Sequence, residues 1–190
     1  MRFNFARTTM IALAVAAVPA TTSFAASAQR TVMVGGAAMY PNRTIVQNAV
    51  NSRDHTTLVA AVQAAGLAET LSGAGPFTVF APTNRAFERL PAGTVQTLLR
   101  PENRAMLQGV LTYHVVAGRL TAADLMRQIR AGRGTATLRT VQGGTLTARM
   151  RGRNIVLTDA RGGTATVRQA DVMQSNGVIH VTDAVSLPAA

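Results

Sequence analysis

The sequence predicts a single α+β domain, and three observations carry that expectation. Apolar residues recur at helical spacing between Asn42 and Ile129. Short β-branched runs separated by glycine turns follow from Thr135 onward. No internal repeat or linker divides the 190 residues, an ordinary length for one domain.

The segment Thr31 to Met39 reads as an apolar, glycine-containing lead-in. Tyr40-Pro41 interrupts it, because proline lacks a donor and restricts its predecessor. Asn42 is expected to cap a first helix reaching Val50, with Ile45, Val46 and Ala49 on one side. Asp54 reads as the cap of a second helix, in which Leu58, Val59, Val62 and Ala65 recur before Gly66 ends it. Both should lay their apolar stripes on a sheet. Phe77 to Ala81 is β-branched and aromatic and bounded by prolines, which predicts a buried strand. Val79 and Ala81 then face one side, Thr78 and Phe80 the other. Pro82-Thr83-Asn84 ends the strand, and the Thr83 and Asn84 side chains start a helical turn by bonding their own backbone. Phe87 and Leu90 ride on that turn. A short helix is expected over Thr94 to Leu99, and Pro101 opens a longer one carrying Met106, Leu107, Val110 and Leu111. Tyr113 to Val116 leaves it as a strand, and Thr121 caps a helix reaching Ile129. Hairpin strands follow at Thr135–Val141, Thr145–Met150, Ile155–Thr158 and Thr164–Ala170. Asn176-Gly177 is the strongest local turn signal, with a strand over Val178–Val181 after it.

The first 28 residues stand apart from this pattern. Arg2 and Arg7 precede an apolar run from Met10 to Ala20, and Ala26-Ser27-Ala28 supplies a small-x-small cleavage site. That order reads as a secretory signal peptide over residues 1–28, leaving residues 29–190 as the domain. The run is shorter than the roughly 20 residues a spanning helix needs. No second long apolar segment follows, so no integral membrane segment is expected after cleavage. The chain has no cysteine, which excludes disulfides, thiolate catalysis and cysteine-ligated metals. A secreted or periplasmic location follows. All 19 basic residues are arginine. Residues 119–168 hold 10 of them against Asp124 and Asp159 alone, an excess of +8. Such a charge favours acidic partners. Export argues against nucleic acid and for acidic polysaccharide, anionic lipid headgroups or an acidic surface or envelope protein. Arg149, Arg151 and Arg153 are spaced by two beside a glycine turn and would share one side of an extended chain. They fit either a docking face or a plain solvated surface.

Three blocks then carry a resemblance. Thr78-Val79-Phe80-Ala81-Pro82-Thr83-Asn84-Arg85-Ala86-Phe87 is similar to the first signature of the fasciclin domain family. Tyr113-His114 sits where that family has its central Tyr-His pair. The run from Asn176-Gly177 through His180 and Asp183 to Leu187-Pro188 resembles the second signature. The blocks keep their order, and the likeness covers residues 35–188, with bacterial exported members the nearest in character. It implies a twisted β-wedge with packed helices, and an adhesion or interaction module rather than an enzyme. It also leaves open a carrier of a small apolar ligand such as a lipid or carotenoid.

The residues themselves offer little chemistry. His55, His114 and His180 are the only histidines. A metal site would need three or four converging ligands, and none is legible, so no metal or cofactor is expected. His114 reads as a partly buried hydrogen-bonding residue or a binding contact, and His180 as a structural strand residue. Ser186 lacks a nucleophile-elbow context, and no phosphate loop, dinucleotide fingerprint or calcium loop is present. Phe80, Pro82, Asn84, Phe87, Tyr113, Asn176, Gly177, His180 and Asp183 are expected to serve structure. A monomer is expected. Exported protein should begin at Gln29, which an intact mass checks; a mass retaining residues 1–28 overturns the cleavage assignment.

Overall fold

The computed structural model describes residues 31–189, and the expected leader lies outside them. The described residues open with β1 (Val32–Val34) and β2 (Ala37–Met39), a two-stranded hairpin within the segment read as an apolar, glycine-containing lead-in. Gly35 and Gly36 both take positive φ, 57° and 76°, the conformation a tight hairpin turn of this hand requires. Helix α1 (Ile45–Ala49) is capped by Thr44, not Asn42. Thr44 and Gln47 form a capping box that satisfies two orphan amides at once. A 3-10 turn over Arg53–His55 precedes α2 (Thr56–Ala65), so Asp54 falls inside the turn and caps nothing. The amide of Thr57 instead donates to Asn84 Oδ1 at 3.0 Å, from 27 residues away. Gly66 ends α2 in the left-handed conformation, as expected. A short α3 (Ala68–Ser72) follows, at five residues too brief to show periodicity.

Next come β3 (Phe77–Pro82), α4 (Asn84–Glu88), α5 (Thr94–Leu98), a 3-10 turn over Pro101–Asn103 and α6 (Arg104–Tyr113). Tyr113 completes α6 rather than opening a strand, His114 caps it, and β4 (Val115–Ala117) begins beyond. Helix α7 (Ala122–Ala131) starts at Thr121, whose hydroxyl and Asp124 form a second capping box. The expected strands are β5 (Thr135–Arg139), β6 (Thr145–Arg151), β7 (Asn154–Thr158), β8 (Thr164–Gln174) and β9 (Gly177–Thr182). β8 outruns its expected end at Ala170. Register shifts between Val167 and Val172, with Asp171 at φ 58°, bend the strand and let it continue.

The seven-stranded sheet has the order β4-β3-β9-β8-β7-β6-β5. All neighbours are antiparallel except β3 and β9, which run parallel from Phe77 opposite Gly177 to Pro82 opposite Thr182. A bridge between Val116 and Thr140 brings the two outer edges together, so the twisted sheet nearly closes on itself. The turn before β9 is centred on Ser175 and Asn176, because Gln174 pairs with Gly177. Gly177 is therefore a strand residue. A Cβ there would collide with the Phe77 carbonyl oxygen and crowd Ile45 Cδ1 at 3.0 Å.

Two apolar cores lie on opposite faces of the central pair. Val79, Ala81, Ile179 and Val181 face a core with α1, α2, α6 and Phe87. Phe80 faces a second core with Tyr113, with Leu125 and Ile129 of α7, and with the inner residues of β5 to β8. The alternation read from the sequence is the one observed. Phe80 and Phe87 are both buried, in different cores. Replacing either with alanine should cost about 3–5 kcal/mol, read as a lowered thermal midpoint. Unchanged melting in F80A would show that the second core does not depend on it.

Candidate functional site

The polar residues of the three blocks converge at junctions, and His114, His180 and Thr182 among them are buried. Tyr113, at the end of α6, is fully buried. Its hydroxyl donates to the Thr145 carbonyl at 2.6 Å and accepts the Ala160 N–H at 3.0 Å, tying β6 to the turn after β7. Burial pushes its phenol above the usual range. His114, 3% exposed, points elsewhere. Its Nδ1–H donates to the Val110 carbonyl at 2.8 Å, and its Nε2 accepts the Ser186 N–H at 3.0 Å. The C-terminal segment is thus strapped to the end of α6. Asp159 holds the same strap, accepting the Leu187 N–H at 2.9 Å. As a binding contact His114 is unsuited, because both ring nitrogens are already committed.

His180 follows the same logic on β9. Nε2–H donates to the Leu120 carbonyl at 2.8 Å, and Nδ1 accepts the Asp171 N–H at 3.3 Å. The ring stacks on Phe80 with centroids 5.6 Å apart. His55 is also buried, with Nδ1 2.9 Å from Ser52 Oγ and its Nε2 without a hydrogen-bond partner. Desolvation lowers the pKa of all three rings, outweighing the Val110 and Leu120 carbonyls at His114 and His180 and the nearby aspartates, which act the other way. Backbone N–H groups facing Nε2 of His114 and Nδ1 of His180 require those nitrogens to be unprotonated.

The two asparagines act over long range. Asn84 does not bond its own backbone as expected. Its Oδ1 accepts from Thr57 and its Nδ2 donates to the Arg53 carbonyl at 2.8 Å. Asn176 accepts the Ile45 N–H at 3.0 Å, capping α1, and donates to the carbonyls of Leu71 and Gly73 at 2.8 and 3.0 Å. Thr83 does cap α4, through the Ala86 N–H. Pro82 is buried at the end of β3. Asp183 accepts the Thr166 N–H at 2.8 Å and pairs with Arg168. Sequence spacing could not reveal these roles, since each partner lies on a distant element.

Arg149 and Arg151 project from the outer face of β6, but Arg153 does not share it. Arg153 lies in the turn between β6 and β7, where strand alternation has ended. All three are exposed. Arg139 joins the outer face on β5, opposite Thr145. Helix α7 packs the inner face, so Arg130 is separate from this group. Thr137, Thr147, Thr158 and Thr164 lie in register across four strands between the arginines. Among the described residues no three His, Asp or Glu side chains cluster as a metal site would need. An apolar cavity between α1, α2, α6 and β3 measures about 40 Å³. A lipid or carotenoid needs several hundred Å³, so this cavity does not support the carrier reading.

A family model described as the fasciclin domain matches residues 53–188. The chain belongs to the fasciclin domain family. It is similar to protein sll1483 of Synechocystis sp., at 47% identity over 84% of this chain and 82% of that protein. Protein sll1735 of the same organism is 42% identical over 75% of this chain and 96% of its own length. In fold it resembles a FAS1 domain pair from the insect cell adhesion molecule fasciclin I. The TM-score is 0.68 at 17% identity, over 76% of this chain and 51% of that one. Fasciclin domains are adhesion and interaction modules rather than catalysts, and this protein is of that kind. Both ring nitrogens of His114 and of His180 are spent on hydrogen bonds that hold loops and the C-terminal strap.

Their neutrality makes the fold sensitive to acid. Folded pKa values lie below the unfolded value of about 6.5, so the unfolded chain binds more protons. The histidine contribution to stability is full above pH ~6.5 and is lost as pH falls through that value toward the lowered folded pKa values. Each histidine can contribute a slope of at most about 1.4 kcal/mol per pH unit. Urea unfolding at pH 7.5, 6.0 and 5.0 should show that loss, and His180→Gln should flatten the slope. Equal stability across the series would overturn the neutral assignment.

Proposed function

We propose that this fasciclin protein is exported and works outside the cytoplasm by docking on an anionic component of the cell surface or envelope. The preferred partner is an acidic polysaccharide. One observation carries the reading. The outer face of β5 to β8 presents Arg139, Arg149, Arg151 and Arg168 among threonines, and no carboxylate stands among the outward strand residues there. No side-chain hydrogen bond or ion pair engages Arg139, Arg149 or Arg151 among the described residues. Their charge is available to a partner, and the planar guanidinium fork suits carboxylate or phosphate. Arg153 adds charge at the rim.

Export is supported by the leader pattern in residues 1–28. The protein is proposed to act as a monomer. Binding of acidic polysaccharide at about 50 mM salt should weaken at about 300 mM, because mobile ions screen exposed charges. Changing Arg149, Arg151 and Arg153 together to serine should weaken binding further while leaving the melting temperature unchanged. Anionic vesicles serve as the parallel arm. Equal binding by parent and triple variant would reduce the face to a solvated surface.

A further inference from the structure

We propose that a cleft beside α4, where the end of β9 meets β8, binds the carboxylate of an acidic saccharide. The cleft is open, encloses about 270 Å³, and is lined by Thr83, Arg85, Arg89, Arg168, Thr182 and Asp183. Three guanidinium groups therefore share the space with one carboxylate. The first signature supplies Thr83 at the cap of α4 and Arg85 within the helix, and Arg89 follows at the helix end, two residues beyond the signature. Thr182 and Asp183 come from the end of the parallel partner strand, and Arg168 from β8. The site exists only because the two signatures lie side by side.

Asp183 is fully engaged. Its Oδ1 accepts the Thr166 N–H at 2.8 Å, and its Oδ2 accepts Arg168 Nε at 2.9 Å with Nη2 at 2.6 Å. Its backbone carbonyl accepts Arg89 Nη1 at 3.0 Å. One fixed residue thus holds two arginines, and each keeps further N–H donors. Ordering them in advance reduces what a ligand must overcome. Arg85 is exposed and has no hydrogen-bonded or ion-paired side-chain partner among the described residues. The cleft has two positive charges beyond what Asp183 neutralises. Arginine forks match a carboxylate through paired, charge-assisted hydrogen bonds.

The opening to solvent identifies the kind of ligand. The Arg168 side chain is 60% exposed, so a free ion here would keep much of its hydration. An acidic sugar unit in a longer chain gains further contacts. Thr83 lines the cleft, and Thr164 and Thr166 continue along the outer face of β8 from Arg168, while the buried Thr182 hydroxyl is committed to the Ala184 carbonyl and only closes the floor. The hydroxyls of Thr83, Thr164 and Thr166 are partners for sugar hydroxyls. The volume lies below the roughly 300–1,000 Å³ of ordinary ligand pockets, which suits one pendant unit rather than a whole buried ligand.

This inference rests on the reading of the protein as a module for anionic partners, but on Arg85 and Arg89, which that reading does not use. The test is calorimetric titration of the protein with an oligogalacturonate, with free galacturonate and with inorganic sulfate at about 50 mM salt. The oligomer should bind more tightly than either small anion. Arg85→Gln should weaken it about tenfold at an unchanged melting temperature. Arg85→Lys, which keeps the charge and loses the fork, should recover only part. That weakening in R85Q with normal binding by the Arg149, Arg151 and Arg153 triple variant would support the cleft and overturn the strand face. The reverse pattern would overturn the cleft and leave the strand face standing. Sulfate or free galacturonate binding as tightly as the oligomer would overturn the saccharide assignment, and no binding of any probe would overturn the site.

Discussion

Burial of the parallel β3–β9 pair on both faces is the constraint on which the rest of the structure depends. Every residue of β9 is buried, as are five of the six in β3. A strand with no solvated face must find an apolar core on each side, and these two strands therefore divide the domain into two cores. Helices α1, α2 and α6 cover one side. Helix α7 and the long meander of β5 to β8 cover the other. Close contact between the two strands leaves no room for a side chain at Gly177, which explains the glycine there better than any turn requirement.

Packing two cores around one strand pair leaves loops and helix ends that need polar partners in dry surroundings. Neutral histidines and asparagines supply them. His180 carries the Leu120 carbonyl and the Asp171 amide, and His114 carries Val110 and the C-terminal strap. A neutral imidazole offers one donor and one acceptor on opposite sides of a flat apolar ring, which suits a buried bridge between two backbone segments. Each bridge contributes about 1 kcal/mol net, but leaving its partners unpaired would cost more. The side chains that look most chemical in the sequence are thereby consumed in holding the wedge together.

The charge has gone to the opposite surface. With both cores dry and Asp124, Asp159, Asp171 and Asp183 used in turns or caps, the arginines of the meander are left facing solvent in excess. The outer sheet face and the cleft where β9 meets β8 are consequences of one arrangement. β8 passes from the threonine rows to Arg168, where it meets the end of β9 and the helix that follows β3. A protein that binds through such a surface needs a rigid scaffold and free guanidinium groups, and no reacting centre.

Much of this was legible in the sequence. Hydrophobic period located α2, α6 and α7 and the strands of the meander, because local burial leaves a local pattern. Alternation along β3 assigned Val79 and Phe80 to opposite faces, and the three signature blocks identified the family. Short elements were misjudged where five residues carry no period, as in α3, or where two glycines conceal a hairpin, as in β1–β2. Caps were misassigned at Asn42 and Asp54, since a competing Thr44-Gln47 box and a distant Asn84 satisfy those amides better. What the sequence by itself determined was the pattern of burial and the family, both written in neighbouring residues. The parallel pairing of the two signatures, the commitment of His114 and His180 to backbone, and the meeting of Arg85, Arg89 and Arg168 were decided only by the tertiary structure. Each depends on groups far apart in the chain, and only closure of the sheet around two cores brings them within reach.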